Sequence, residues 1–288
     1  MSLRRFLDAP DARAAGLSGH LIGLAAGIAA VLIVVLPAAW GLRSLQAGTV
    51  PAAFMLLGLG TVGTLAGGLA VLVVARRQGR AWTALAGPGF GAGPVATGFV
   101  IFGLIGILFF AGAIALDEQP PIWRINATTL GYAAFGLVAM LAIAAAEEIV
   151  FRAYLPQGIR TSLPSGLATV VLTSVLFGIL HGLGEGWPGV AYRIVLALAM
   201  FQAIAVTGNI GAAIGAHAAN NLMALTIASV DQPVRVLALL ELPGTEPALD
   251  IWSVLAFSLR CLVFIATLQL WQRHCHKKLE IARNRGYP

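Results

Sequence analysis

The stretch Leu130-Gly-Tyr-Ala-Ala-Phe-Gly-Leu-Val-Ala-Met-Leu-Ala-Ile-Ala-Ala-Ala-Glu-Glu-Ile-Val-Phe-Arg152 decides how the rest of the chain is read. An apolar run long enough for a membrane helix ends on two adjacent glutamates. A charged side chain at the centre of a membrane helix is disfavoured by roughly 2.5–3.5 kcal/mol on insertion scales, so two carboxylates side by side need a partner or a task. Glu148 and Arg152 stand at i and i+4 with the acid first, the favourable order for an ion pair on one helix face. Glu147 is rotated about 100° away and has no such partner in its own helix. One carboxylate therefore reads as structural, and its neighbour as available for chemistry.

The composition around this stretch is that of a membrane protein. Of 288 residues, 59% are hydrophobic and 10% charged, against about 25% charged in a soluble domain; the mean hydropathy is +0.88. Apolar runs near 20–41, 52–75, 94–116, 129–150, 164–183, 188–207, 209–229 and 249–271 each approach the ~20 residues needed to cross hydrocarbon. The expected fold is an all-α polytopic membrane protein with about eight transmembrane helices. With the N-terminus inside, the inner segments hold thirteen Lys and Arg and the outer segments three, Arg43, Arg124 and Arg235. That asymmetry predicts both termini on the cytoplasmic side. The net charge of +6 then reflects topology and contact with anionic lipid, and no nucleic-acid partner is expected. The first apolar run is too long for a signal-peptide core and reads as an anchor. Abundant Arg, Ala and Gly with little Lys fit a GC-rich bacterial genome, which makes the bacterial inner membrane the expected location.

The loops carry Gly and Pro, as in Gly87–Pro94, Pro120-Pro121 and Pro233. Gly58-Leu-Gly-Thr-Val-Gly63 has the spelling of a dinucleotide-binding turn, but it lies within an apolar span and lacks the strand that such a turn follows. Glycines there, Gly63 and Gly67 included, are expected to let two helices approach closely. Cys261 and Cys275, in and just after the last span, suggest neither a disulfide nor a metal motif.

Three more intramembrane polar residues join the glutamates. His181 follows Phe177 by four positions in the fifth run, and His217 and Asn221 lie four apart, on one face of the seventh. Singly, a histidine near a span end is a headgroup-level residue and an asparagine is glue between helices. Together, ionisable groups in separate spans mark a functional site. If the fourth helix ends near Leu155, Glu147 lies roughly 12 Å from that end, while His181 lies roughly 22 Å into its own span. His217 and Asn221 fall roughly 12 and 18 Å in. His181 is the outlier in depth.

These residues resemble a known family. Glu147-Glu148-Ile-Val-Phe-Arg152 is similar to the E-E-x-x-x-R motif of the CPBP intramembrane proteases, the group containing type II CAAX prenyl endopeptidases and bacteriocin-processing or Abi-type proteins. Phe177-Gly-Ile-Leu-His181 resembles its F-x-x-x-H motif, and His217-Ala-Ala-Asn-Asn221 its H-x-x-x-N motif, in the family's order and on separate spans. The chain then divides into an arm and three transmembrane helices (1–128), a catalytic core (129–229), and an outer loop, last transmembrane helix and basic tail (230–288).

The resemblance implies an intramembrane endopeptidase. Glu147 is implied as general base on a water, with His181 helping to hold that water, and His217 and Asn221 as the site of the oxyanion. Glu148, Arg152 and Phe177 would support them. The substrate is implied to be a peptide or a membrane-anchored protein, within the lipid bilayer. Cofactor use stays open between none and Zn2+: Glu147, His181 and His217 are sufficient in kind for a three-ligand zinc site, although H-E-x-x-H is absent. Metal-free catalysis is the preferred expectation.

Two rival functions fit the composition. A proton-coupled transporter uses embedded Glu and His, but is expected to show a repeated half with broken helices, and none is seen. A non-enzymatic immunity or scaffold protein has no need to retain every polar motif position. Glu185 is expected to be solvated in a short outer loop, and Arg193 and Arg260 to snorkel or pair within their spans. The six tryptophans lie mostly near span ends, as interface anchors do.

Overall fold

Each of the eight apolar runs carries a helix, the one local structure that satisfies a stretch of backbone from within in a medium without water. The computed structural model describes residues 3–41, 50–116, 120–228, 237–241 and 249–284; Arg43, Pro233, Arg235 and Arg285 lie outside these. The helices are α1 (Leu3–Leu7), α2 (Pro10–Gly41), α3 (Val50–Arg77), α4 (Trp82–Ala86), α5 (Ala92–Leu116), α6 (Ala127–Glu148), α7 (Leu155–Arg160), α8 (Gly166–Gly182), α9 (Gly186–Thr207), α10 (Gly211–Thr226) and α11 (Ile251–Asn284). A π-helical turn, Ile149–Tyr154, joins α6 to α7, and a 3-10 turn, Leu183–Glu185, joins α8 to α9.

Six stretches reach the length and hydropathy of a membrane span, residues 15–38, 52–77, 92–115, 127–160, 166–207 and 251–278. The difference from eight has a physical cause. The 166–207 stretch contains both α8 and α9, and α8 has only 17 residues. Helix α10 has 16 and buries every residue from Gly211 to Asn220. A helix lined by protein rather than lipid has no hydrocarbon thickness to match. The outer helices do face lipid: Ile22, Ile33 and Leu36 on α2, Leu104 and Leu108 on α5, and Leu255 and Leu262 on α11 are all exposed. Such a continuous apolar exterior belongs to an integral membrane protein. All six tryptophans are exposed (Trp40, Trp82, Trp123, Trp187, Trp252 and Trp271).

Small residues set how closely the helices pack. A Cβ on Gly67 of α3 would approach the Gly27 carbonyl of α2 to 3.2 Å, and one on Gly27 would meet the Gly67 carbonyl equally. Gly63 and Gly67 of α3 thus serve contact with α2, and Gly58-Leu-Gly-Thr-Val-Gly63, lying within a helix, lacks the strand-to-helix turn of a dinucleotide site. Gly182 and Gly178 let α8 fold back on α9, where added Cβ atoms would sit 2.5 Å from Val190 N and Ile194 Cγ1. Gly215 of α10 lies against Val95 and Phe99 of α5, so closely that a Cβ would overlap their backbone.

Polar contacts fix the ends. The start of α10 is tied to the Gly87–Pro88 loop: Ile210 N–H donates to the Ala86 carbonyl at 2.9 Å, and Asn209 Nδ2 donates to the Pro88 carbonyl at 3.2 Å. At the other end, a small sheet of two-residue strands links the helices. Strand β1 (Ile122–Trp123) pairs antiparallel with β3 (Leu240–Glu241), which pairs parallel with β2 (Ile227–Ala228). Asn126 caps α6 by accepting from Thr128 and Thr129 N–H at 3.0 and 3.1 Å. Below the π-turn, Gln157 is fully buried and donates to the carbonyls of Phe6 and Ala84 at 2.9 and 2.8 Å. Its own oxygen accepts from Arg80 Nη2. Arg80, which the sequence placed among the flanking charges, is thus buried, and its Nη1 donates to His20 Nε2 at 3.0 Å.

Gly215→Ala is expected to destabilise the protein by about 1–3 kcal/mol, because the added methyl has only backbone to displace. Gly112→Ala, where nothing lies within 4 Å, is expected to be neutral or slightly stabilising. Thermal unfolding of both variants in the same detergent measures the contrast.

Candidate active site

The end of α6 delivers both glutamates to the centre of the helical bundle. The backbone then changes pitch, with Leu155 N–H bonded five residues back to the Val150 carbonyl. Such π-turns recur at functional sites. Glu148 and Arg152 flank the start of this turn, both with fully buried side chains, Nε lying 3.4 Å from Oε2. The guanidinium is set between two rings, its Cζ 4.4 Å from the Phe177 centroid and 5.5 Å from that of Phe201. Among the described residues its three nitrogens have no hydrogen-bond acceptor. Coulomb attraction and the aromatic faces hold it instead.

Glu148 has a second partner that its helix does not supply. His217 Nδ1 donates to Glu148 Oε1 at 2.8 Å, with the imidazole almost wholly buried. That bond fixes the ring orientation and turns Nε2 toward Glu147, 3.5 Å from its Oε2. His181 is oriented in the same manner, its Nδ1–H donating to the Phe177 carbonyl one turn back at 2.9 Å. Its Nε2 then lies 3.8 Å from Glu147 Oε1. The carboxylate of Glu147 therefore sits between two imidazole nitrogens, at separations longer than a direct hydrogen bond. Phe177 is central to this cluster. Its ring stacks on His181 at 4.2 Å and meets His217 edge-on at 5.9 Å.

Glu147 opens into a cavity of about 300 Å³ lined by Met140, Phe177, His181, Arg193, Leu196, His217, Asn221, Ala224 and Leu225. Asn221 lies one helical turn beyond His217 in this wall. Its Oδ1 accepts from Asn220 Nδ2 at 3.4 Å, and Asn220 Oδ1 accepts from the Tyr192 hydroxyl at 3.0 Å. That bond leaves the Asn221 oxygen as its engaged end, with the residue on the cavity wall. A second, mainly apolar cavity of about 210 Å³ reaches Glu147 and His181 from the α2–α3 side, past Gly27, Val31 and Gly68.

All seven residues singled out in the sequence meet here. The depth mismatch disappears because the helical chain runs on through the π-turn to Arg160. That places Glu147 about 20 Å from its end, level with His181. Helix α10 begins inside the protein, so its start is no measure of depth. The sequence did not show that His217 bridges to Glu148, since nothing in spacing relates residues 69 apart. Arg193 pairs, as expected, here with Glu185 at 2.7 Å, but it also lines the cavity, which the sequence did not show. The polarity of Arg193 within an apolar span was the available signal.

The donor types of Glu147, His181 and His217 suit zinc, and both imidazoles have the anchored Nδ1 common in metal ligands. Among the described residues, no three His, Cys, Asp or Glu side chains stand together as a metal-holding group.

Residues 129–223 match the family model for type II CAAX prenyl endopeptidase Rce1-like proteins. No curated protein and no solved structure matches the chain. The matched segment contains all seven residues of the site.

Arg152→Ala strands Glu148 in the interior and is expected to cost about 3–5 kcal/mol. Glu147→Gln removes a charge that has partial access to the cavity, so its melting temperature should stay near that of the wild type. Parallel thermal melts in detergent test the pair; equal loss in both would reject the division between a structural and an available glutamate.

Proposed function

We propose that the chain, whose residues 129–223 match the type II CAAX prenyl endopeptidase Rce1-like model, is a CPBP-family endopeptidase that hydrolyses a peptide bond within the membrane with a water activated by Glu147. The observation that carries this reading is the placement of the Glu147 carboxylate between two oriented imidazoles, at 3.5 and 3.8 Å, on the wall of a cavity. Contacts of that length suit a shared water.

In this mechanism His181 Nε2 accepts one hydrogen of the water, its Nδ1–H being committed to Phe177. Glu147 takes the other proton as the oxygen attacks the scissile carbonyl carbon. The oxyanion that forms receives hydrogen bonds from Asn221 Nδ2 and from His217 Nε2. His217 donates there only as the imidazolium, because its Nδ1–H already serves Glu148; the Glu148 carboxylate is then its counter-ion, as the carboxylate of a hydrolytic triad is to its histidine. Glu147 returns its proton to the leaving amine as the C–N bond breaks. Catalysis in this scheme needs no metal. The apolar cavity on the α2–α3 side supports a substrate with an apolar segment, such as a membrane-anchored peptide. The lysine and arginine asymmetry supports both termini facing the cytoplasm, in a bacterial inner membrane.

Glu147→Gln is expected to abolish cleavage, seen in membrane proteomes as a fragment present with the wild type and missing with the variant. Once a peptide is in hand, Asn221→Ala should lower kcat by about 100- to 1000-fold with little change in KM. An unaltered kcat would remove Asn221 from the oxyanion site.

The metal-free scheme predicts activity that survives chelators, in enzyme without stoichiometric zinc by elemental analysis. Stoichiometric zinc that is lost in His217→Ala, and is needed to restore stripped wild type, would replace it with a zinc site of Glu147, His181 and His217.

A further inference from the structure

The cavity beside Glu147 is electrically lopsided. Its wall carries the Glu147 carboxylate on α6 and, on α9, the guanidinium of Arg193; Met140, Leu196, Ala224 and Leu225 fill in between. A peptide entering this space meets apolar surface, the Glu147 carboxylate, which repels anions, and the Arg193 guanidinium, which attracts them; the charge that His217 carries in the mechanism is already balanced by Glu148. Any carboxylate it carries is driven away from Glu147 and toward Arg193, which fixes the direction in which the chain lies.

Arg193 already holds a carboxylate. Its Nη2 donates to Glu185 Oε1 at 2.7 Å, and the side chain of Glu185 is 42% exposed against 24% for Arg193. Glu185 belongs to the 3-10 turn between α8 and α9 and is not part of the cavity wall. Arg193 thus reaches from the cavity to its rim, where an internal carboxylate occupies one of five guanidinium N–H donors. An ion pair this exposed contributes little net stability and is readily exchanged. A carboxylate in the cavity can take the same kind of charge-assisted bond from the remaining N–H donors.

We infer that Arg193 is a specificity-determining residue that binds a carboxylate of the substrate in exchange for Glu185. This rests on the endopeptidase reading above and adds the chemical class of group recognised beside the scissile bond. The carboxylate has two possible sources, the substrate's C-terminus or an acidic side chain, and the two are separable by probe.

The test uses full-length protein carrying Glu147→Gln, which prevents turnover, in detergent, with calorimetric titration of three probes: N-acetyl-Val-Leu as the free acid, the same dipeptide as its amide, and N-acetyl-Val-Asp amide. The free acid is expected to bind about 10- to 100-fold tighter than the amide, the range of a hydrogen bond to a charged group. Adding Arg193→Ala should erase that preference, and Arg193→Lys should retain part of it. Adding Glu185→Gln should tighten binding of the acid, since it removes the internal competitor; a merely structural ion pair gives the opposite sign. Binding of the Asp amide as tight as the free acid assigns the group to acidic side chains, and weak binding assigns it to the C-terminus. Equal affinity for acid and amide, no binding of the acid at millimolar concentration, or a preference that survives Arg193→Ala overturns the inference. Cleavage by the wild type without a carboxylate preference leaves the endopeptidase reading standing and removes only this site. A carboxylate preference in a wild type that cuts nothing removes the endopeptidase reading instead.

Discussion

The arrangement depends on burying Glu148, Arg152 and His217 together. An isolated charge in the interior is costly by several kcal/mol, and removing one partner of a buried pair leaves that cost uncompensated. Here the carboxylate is shared between a guanidinium at 3.4 Å and an imidazole N–H at 2.8 Å, while the guanidinium lies on the faces of Phe177 and Phe201. These groups come from α6, the π-turn, α8, α9 and α10. Neutralising one carboxylate and one guanidinium therefore draws on every helix that lines the cavity beside Glu147.

The neighbouring glutamate gains from this without sharing it. One step along the helix turns Glu147 away from the ion pair and toward the cavity, yet His217 touches both carboxylates, through Nδ1 to one and Nε2 to the other. The buried half of the pair thereby sets the orientation of a group facing the exposed half. The π-turn serves the same end, since it alters the pitch of the chain between Glu148 and the anchored α7. The buried Gln157 and His20–Arg80 contacts then hold α7 to the N-terminal helices.

Helix α10 shows how glycine and burial substitute for length. With 16 residues it is short for a bilayer, but Gly215 seats it against the backbone of α5 and the Asn209 contacts tie its start to the loop before α5. A polar face carrying His217, Asn220 and Asn221 is tolerable in such a helix because protein surrounds it. On a lipid-facing helix the same residues would be costly. The polar residues of the site thus occupy the helices that the rest of the bundle shields.

Much of this was open to reading in the chain itself. Apolar runs of membrane length dictate helices, because hydrocarbon leaves the backbone no other local partner, and the Glu148–Arg152 pair follows from i,i+4 geometry alone. The separation of Glu147 from that pair follows from the same 100° step. The motifs brought Glu147, His181, His217 and Asn221 into one list, but periodicity carries no information across helices. The meeting of His217 with Glu148, the π-turn that brings Glu147 level with His181, the burial of Arg80 and α10, and the turn of Arg193 into the cavity were decided by packing between helices distant in sequence. The physical reason is range: helical propensity and hydropathy act within a few residues, whereas the pairing of buried charges is settled only when separate helices close on one another.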